Sequence, residues 1–404
     1  MLNTQQIIAE ADRCVACGLC LPHCPTYYKT GSEADSPRGR IQLISAVTRD
    51  ILPANARYQA HIDGCLSCRN CETACPNGVQ YGALIDSARA NIAQLPNTKS
   101  ANLSNIVLIH LACSPVYMRL AGMLLKLAQK LRLLSALKQI PALKKPISLL
   151  PPMPVLQTWR ALYKTKQTKK GEVSLFLGCI SKTFDTDTLR ASVYVLNQLG
   201  FDVLIPKAQT CCGGLARQLG NTNWATQNIA TNDSAFNKTL PVLTVASGCG
   251  AGLHDYSELN VQDISAFLNQ CDWQDIKLKP LADEAMNEIL VHEPCTLRNV
   301  QKTHTAVVEL LKKIPQANIA NLSGNAQCCG GAGAYMLSQP SMADTLLSDK
   351  ISAVKKTNTK LLATSNIGCV LHIAAGLREQ DIAVKVLHPV SIIAKQMGFT
   401  GRLD

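Results

Sequence analysis

The chain has 404 residues, 47% of them hydrophobic by type, with eighteen cysteines and a formal net charge of +12. That is enough apolar material for a large core and two or three domains, which excludes a disordered chain. Cysteines bunched at ligand spacings point to metal in a reducing compartment and exclude a framework of disulfide staples.

Residues before Cys14 predict a short helix with Ile7, Ile8 and Ala11 on one side. Then comes Cys14-Val-Ala-Cys17-Gly-Leu-Cys20-Leu-Pro-His-Cys24-Pro25, repeated as Cys65-Leu-Ser-Cys68-Arg-Asn-Cys71-Glu-Thr-Ala-Cys75-Pro76. In this spacing three close thiolates hold three irons of a 4Fe-4S cube, and the fourth, before a proline, reaches the neighbouring cube. One cluster is therefore assigned to Cys14, Cys17, Cys20 and Cys75, the other to Cys65, Cys68, Cys71 and Cys24. Structural zinc is the competing reading, but four cysteines within eleven residues crowd a single tetrahedral ion. Between the motifs Ser36 and Pro37 read as the cap and first turn of a helix, and 82–94 as a closing helix. With about forty residues between the motifs, the clusters are expected to be wrapped in helices.

From residue 87 to residue 171 there are fourteen Lys and Arg and no Asp or Glu, so the basic character belongs to one segment. Residues 102–145 carry Leu, Ile, Met and Ala at helical rhythm between these cations, predicting one or two basic amphipathic helices. Four prolines from Pro146 to Pro154 then predict a break, and a linker ends near Gly171. A solvated face, an acidic partner subunit and an anionic membrane surface all suit such helices. No nucleic-acid-binding motif accompanies the charge. No run of about eighteen uninterrupted apolar residues occurs, and Met1-Leu-Asn-Thr-Gln-Gln lacks the start of a secretory signal. The expectation is a cytoplasmic protein, soluble or peripheral on the inner membrane face.

Past Gly171 the chain repeats. Cys179, Cys211-Cys212-Gly-Gly and Cys249 recur as Cys295, Cys328-Cys329-Gly-Gly and Cys369, at separations of 116, 117 and 120 residues. This predicts a duplication. Short apolar strands (173–177, 203–206, 241–246, 289–292, 360–364) alternate with helical stretches (188–199, 305–313), predicting parallel sheets in α/β layers. Four of these cysteines fall just after strands, at the carboxyl ends where ligands gather in such sheets. Cys113 and Cys271 stand alone and read as apolar packing residues. His292 and His388 read as core or loop histidines.

The Cys, Cys-Cys-Gly and Gly-Cys elements, with Ser36-Pro-Arg-Gly-Arg, Pro294-Cys-Thr-Leu and Asn366-Ile-Gly-Cys, resemble the cysteine-rich tandem domain of the heterodisulfide reductase and glycolate oxidase families. The whole chain is similar to the glycolate oxidase iron-sulfur subunit family. The resemblance implies an unusual non-cubane 4Fe-4S cluster in such a repeat, held by five cysteines. This chain has Gly252 and His372 where the last of the five would stand. The first repeat then offers Cys179, Cys211, Cys212 and Cys249, and the second Cys295, Cys328, Cys329 and Cys369 with the His372 imidazole. Two readings stand for them: one or two further clusters, with the second repeat favoured, or thiols that are now structural or bind zinc.

The expected fold is an α+β multidomain chain. An all-α, helical ferredoxin-type domain with two 4Fe-4S clusters (1–98) precedes a basic helical segment and linker (99–171) and a duplicated α/β cysteine-rich domain (172–285 and 286–404). No nucleotide-binding, P-loop or hydrolase motif is present, and Gly330-Gly-Ala-Gly333 has Met336 in place of a dinucleotide fingerprint's third glycine. The chain is thus expected to carry electrons and to hold no flavin or nicotinamide. Alcohol oxidation releases two electrons and clusters take one at a time, so an FAD-binding partner is expected upstream. The resemblance implies glycolate (2-hydroxy acid) oxidation on that partner and a quinone or membrane acceptor, with peripheral membrane contact through 102–145. Alternatives are the iron-sulfur subunit of an anaerobic glycerol-3-phosphate or D-lactate dehydrogenase, and a heterodisulfide-reductase-like enzyme.

Overall fold

The computed structural model describes residues 2–95, 107, 109–111, 113–281 and 288–403. Up to Ala93 the regular structure is helical: Thr4–Asp12, Pro25–Thr30, Pro37–Thr48, Ala56–Asp63, Asn70–Thr73 and Tyr81–Ala93. Local chemistry sets the starts. Asn3 Oδ1 accepts from Gln6 N and Gln6 Oε1 from Asn3 N, both at 2.9 Å, a reciprocal cap. Ser36 Oγ accepts from Gly39 N at 2.9 Å ahead of a first-turn proline. The buried face of Tyr81–Ala93 (Leu84, Ile85, Ala88, Ile92) meets Ile7, Ile41, Ile44 and Ile62 in one core, and the two cysteine loops wrap around it.

The basic segment forms helices Pro115–Lys130, Leu133–Leu137 and Pro141–Leu149. Residues 102–106, 108 and 112, part of the predicted helical stretch, lie outside the described residues. The break predicted at Pro146 comes later, because the helix carries that proline inside it and ends at Leu149. Pro146 is the sixth residue of that nine-residue helix, past its first turn, so the bond that an N–H there would make to Ala142 O is forfeited. This helix lies against Ile367–Glu379, with Arg378 Nη2 donating to Ser148 O (2.8 Å) and Leu150 O (3.2 Å). Among the described residues no helix is long and apolar enough to cross a membrane.

Among the described residues nine strands follow: β1 Leu162–Tyr163, β2 Gly171–Phe176, β3 Phe201–Leu204, β4 Val242–Thr244, β5 Val261–Asp263, β6 Glu288–Val291, β7 Asn318–Asn321, β8 Leu361–Ala363 and β9 Lys385–Leu387. They form two sheets, ordered β1-β3-β2-β4-β5 and β7-β6-β8-β9. Every pairing is parallel except β1 with β3. The second sheet thus repeats the order β3-β2-β4-β5 of the first. The stretch read as a linker before Gly171 contributes β1, whose Tyr163 is buried in the core of the first sheet.

That core is common to both sheets. Val173, Leu175 and Leu196 belong to the same buried cluster as Ile289, Val291 and Ile393. Helix Pro389–Gln396, at the chain's end, packs on Thr186–Gln198 of the first repeat, where Thr188 Oγ1 meets Ser391 Oγ at 3.1 Å and Tyr194 Oη donates to Met397 O at 3.0 Å. Burying each such aliphatic side chain is worth about 1.5–3 kcal/mol. Neither sheet's packing is complete without the other.

Candidate metal centres

The twin cysteine loops bend alike. Ala16 and Gly18 in the first, Ser67 and Arg69 in the second, have φ of 54°, 81°, 51° and 58°. Each pair stands at the second residue after the first cysteine and the first after the second. Left-handed backbone costs a non-glycine residue about 1–3 kcal/mol and persists where surroundings impose it. The bends turn the thiols toward common spaces. One cavity is lined by Cys14, Cys17, Cys20 and Cys75, with Cys71, and a second by Cys24, Cys65, Cys68 and Cys71. Cys71 lines both.

Polar support surrounds the second cavity. Arg40, fully buried, donates to Thr26 Oγ1 (2.9 Å), Asp35 O (2.5 Å) and His61 O (2.6 Å). Thr26 Oγ1 stands 3.2 Å from Cys24 Sγ, Tyr81 Oη donates to Cys65 Sγ at 3.6 Å, and Ser67 N donates to the same sulfur at 3.4 Å. No disulfide joins the cysteines of the described residues. Burial pushes the Cys20 thiol up to about 11 and those of Cys68 and Cys71 well above the ordinary thiol range. Crowded, buried thiols keep their protons until a cation displaces them, so this donor set fits iron held by thiolates.

In the repeats Cys179 and Cys295 follow β2 and β6, while Cys249 and Cys369 lie in the first turn of helices Ser247–Tyr256 and Ile367–Glu379, which follow β4 and β8. The Cys-Cys pairs end in Gly213 (φ 76°) and Gly330 (φ 83°), where a Cβ would come within 3.1 Å of Ala225 and 2.6 Å of Ala343 O. Only glycine fits there, and the bend lets Gly213 N and Gly331 N donate to Cys211 Sγ and Cys329 Sγ, both at 3.4 Å. Sulfur separations are 3.6 Å for Cys179 to Cys211, 3.9 Å for Cys295 to Cys328 and 3.2 Å for Cys329 to Cys369. One cavity between the repeats is lined by all eight of these cysteines and by Leu66 and Ser67. Cys68 packs with Cys328 and Tyr335, and Asn299 Nδ2 donates to Cys68 O at 2.7 Å, which joins the N-terminal loops to the second repeat. Lys350 Nζ, buried beside the second repeat's thiols, donates to Gly324 O at 2.6 Å, and burial lowers its pKa.

Two placements differ from the sequence expectations. Cys113 is more than a packing residue, because its sulfur lies within 4.8 Å of those of Cys179 and Cys211. The imidazole beside the second repeat's thiols is that of His292, which groups with Cys329 and Cys369 at the same limit. His292 is buried, shares a hydrogen bond with Thr364 Oγ1 at 2.9 Å, and burial pushes its pKa down to about 3, which keeps the imidazole neutral. His372 instead donates from Nε2 to Ala343 O at 3.2 Å, and its Nδ1 has no hydrogen-bond partner. Cys271 does pack: its thiol donates to Phe267 O at 3.4 Å beside the shared core. His388 Nδ1 accepts from Val390 N at 3.1 Å and caps Pro389–Gln396.

Along nearly its whole length the chain is similar to the probable glycolate oxidase iron-sulfur subunit of Bacillus subtilis, at 32% identity over 96% of this chain and 94% of that one. It belongs to the glycolate oxidase iron-sulfur subunit family. The Escherichia coli glycolate oxidase iron-sulfur subunit is 28% identical over 96% of this chain and 95% of its own. A lactate utilization protein of Bacillus cereus is 25% identical over 55% of this chain and 98% of its own. Residues 10–79 match the 4Fe-4S dicluster domain, and 173–254 and 289–374 each match the cysteine-rich domain. In this family member Cys113 falls outside all three matched ranges. It lies 66 residues before Cys179, beyond the reach of any spacing rule, and only the fold brings it to the first repeat.

Proposed function

We propose that the chain is the electron-transfer iron-sulfur subunit of a flavin-dependent glycolate (2-hydroxy acid) dehydrogenase, taking electrons from an FAD-binding partner and delivering them toward a quinone-type acceptor. The observation that carries this is the continuity of the thiols. The set around Cys14 shares Cys71 with the set around Cys65. Cys68 packs on Cys328 of the second repeat, and the second repeat shares a cavity with the first. The near-full-length similarity to two glycolate oxidase iron-sulfur subunits supports the same role.

The proposed ligands are Cys14, Cys17, Cys20 and Cys75 for one cube, and Cys65, Cys68, Cys71 and Cys24 for the other. The second repeat is proposed to hold a further cluster through Cys295, Cys328, Cys329 and Cys369, with His292 beside it. When bound, the clusters supply one-electron carriers whose potentials respond to hydrogen bonds and burial. This chain's residues then set the conditions. Tyr81, Ser67, Gly213 and Gly331 donate to sulfur, Arg40 fixes the loops around the second cavity, and Leu66 and Tyr335 exclude water where the N-terminal part meets the second repeat. The domains are proposed as 1–98, 99–171, 172–285 and 286–404.

Peripheral membrane contact is assigned to the basic segment. Val116, Leu120, Leu124 and Leu127 fall on one face of Pro115–Lys130 and are about half to two-thirds exposed, with Lys126 and Lys130 alongside. An apolar face rimmed by cations suits an anionic lipid surface. The role is tested by pairing the purified chain with its candidate flavoprotein and following dye reduction with glycolate, D-lactate and glycerol 3-phosphate. Turnover that needs both chains supports the role, and the substrate that drives it names the dehydrogenase. A second reading, a disulfide-reducing enzyme, is favoured by the cavity that both Cys-Cys pairs line. It predicts disulfide cleavage by the chain with a chemical reductant and no flavoprotein.

A further inference from the structure

We infer that Cys113, supplied by the basic segment, is the fifth thiol of the first repeat's cluster and stands in for the side chain that Gly252 lacks. The inference rests on the reading that the repeats hold iron. Position 252 has no atom to offer, and the space above it is taken. A Cβ there would come within 2.7 Å of Arg217 Nη2, which donates to Cys212 O at 3.2 Å and Gly252 O at 3.4 Å while its guanidinium lies 4.0 Å over the Tyr256 ring. A held arginine closes that approach.

Cys113 comes from another side. Cys212 and Cys249 line the cavity between the repeats, whereas Cys113 lines a different cavity of about 510 Å³, together with Lys182, Lys207 and Trp159. Cys179 and Cys211 line both. The five sulfurs therefore enclose the space after β2 and β4 from two directions, with Cys113 buried and within 4.8 Å of Cys179 and Cys211. Four thiols from one repeat and one from the preceding segment restore the five-cysteine complement without its usual last position. Helix Pro115–Lys130 begins two residues after this ligand, so loading the site with iron ties the apolar, basic helix to the first repeat.

The test uses the full-length chain purified anaerobically, as wild type and as Cys113→Ala, Cys179→Ala and Cys271→Ala, read by iron and sulfide content and by EPR. Cys113→Ala is expected to lose about four irons per chain or to shift the same EPR component that Cys179→Ala removes, while Cys271→Ala matches wild type. A circular dichroism melt and retained signals from the N-terminal clusters show that each variant has folded. Wild-type iron and EPR in Cys113→Ala, with the component lost in Cys179→Ala, overturn the Cys113 assignment alone. Wild-type values in both overturn it together with a cluster in the first repeat.

Discussion

Replacing Tyr81 by Phe removes one hydroxyl and leaves the ring that packs in the N-terminal core. Tyr81 Oη donates to Cys65 Sγ at 3.6 Å, and the residue is 3% exposed, so water cannot take the donor's place. Burial also holds the phenol's pKa well above its ordinary value, and it stays a neutral donor at working pH. Reduction adds negative charge to a thiolate-bound centre, so a donor to sulfur stabilises the reduced form more than the oxidised one. A hydrogen bond to a charged group is worth about 1.5–3 kcal/mol, and a difference of about 0.5–1 kcal/mol between the two oxidation states is a fraction of that. At about 59 mV per 1.36 kcal/mol for one electron, the midpoint potential should fall by about 20–45 mV. An EPR-monitored redox titration of wild type and Tyr81→Phe measures it, with iron content expected to stay the same. An unchanged or raised midpoint in a fully loaded variant would show that the Tyr81 hydroxyl does not favour the reduced centre.

Arg40→Met removes a buried guanidinium, leaves His61 O without its donor, and leaves Asp35 O with only the Thr26 hydroxyl and the Cys24 thiol. It should cost about 3–5 kcal/mol, seen as a lower Tm and faster iron release, and an unchanged melt would count against the role given to Arg40. If the fourth cysteines are exchanged, Cys75→Ala removes the EPR component that Cys17→Ala removes, and Cys24→Ala matches Cys65→Ala; the opposite pairing would show that each motif closes on itself. Leu124→Glu with Leu127→Glu should abolish salt-sensitive sedimentation with anionic vesicles, and retained binding would remove the helix as the contact. Asp263 accepts from Ser265 N (2.8 Å) and Ala266 N (3.3 Å), and burial pushes it from 3.8 up to about 6. The native state then binds the extra proton across that window, and stability falls as pH rises through it. Asp263→Asn keeps the acceptor and removes the charge, so its Tm advantage should grow between about pH 4 and pH 6, and a constant difference would contradict this.

The parts legible in the sequence are those whose chemistry is local. The twin loops announce themselves by spacing, Ser36-Pro37 by its capping pattern, and Cys179, Cys249, Cys295 and Cys369 by standing after apolar runs. β1 is two residues long, too short for a period to show, and β5 (Val-Gln-Asp), β7 (Asn-Ile-Ala-Asn) and β9 (Lys-Val-Leu) carry polar residues where the equally short β8 (Leu-Leu-Ala) is wholly apolar. Cys113 and His292 were legible as residues but not as neighbours of the thiols. Their approach depends on how a helical segment and a strand end meet sites built elsewhere. His372 follows Cys369 by three residues, yet its ring donates to Ala343 on the adjoining helix. Arg217 fills the place opposite Gly252, a relation that no pattern within the Cys-Cys-Gly-Gly loop encodes.

The proposed function has electrons enter the iron-sulfur centres from a flavin on another chain. Freeze-quench EPR of the anaerobically purified protein, mixed with its flavoprotein partner and a 2-hydroxy acid, measures this most directly. Reduced iron-sulfur signals are expected only when partner and substrate are both present, growing in on the time scale of turnover. Signals that appear with substrate alone, or a colourless chain that carries no iron, would contradict it.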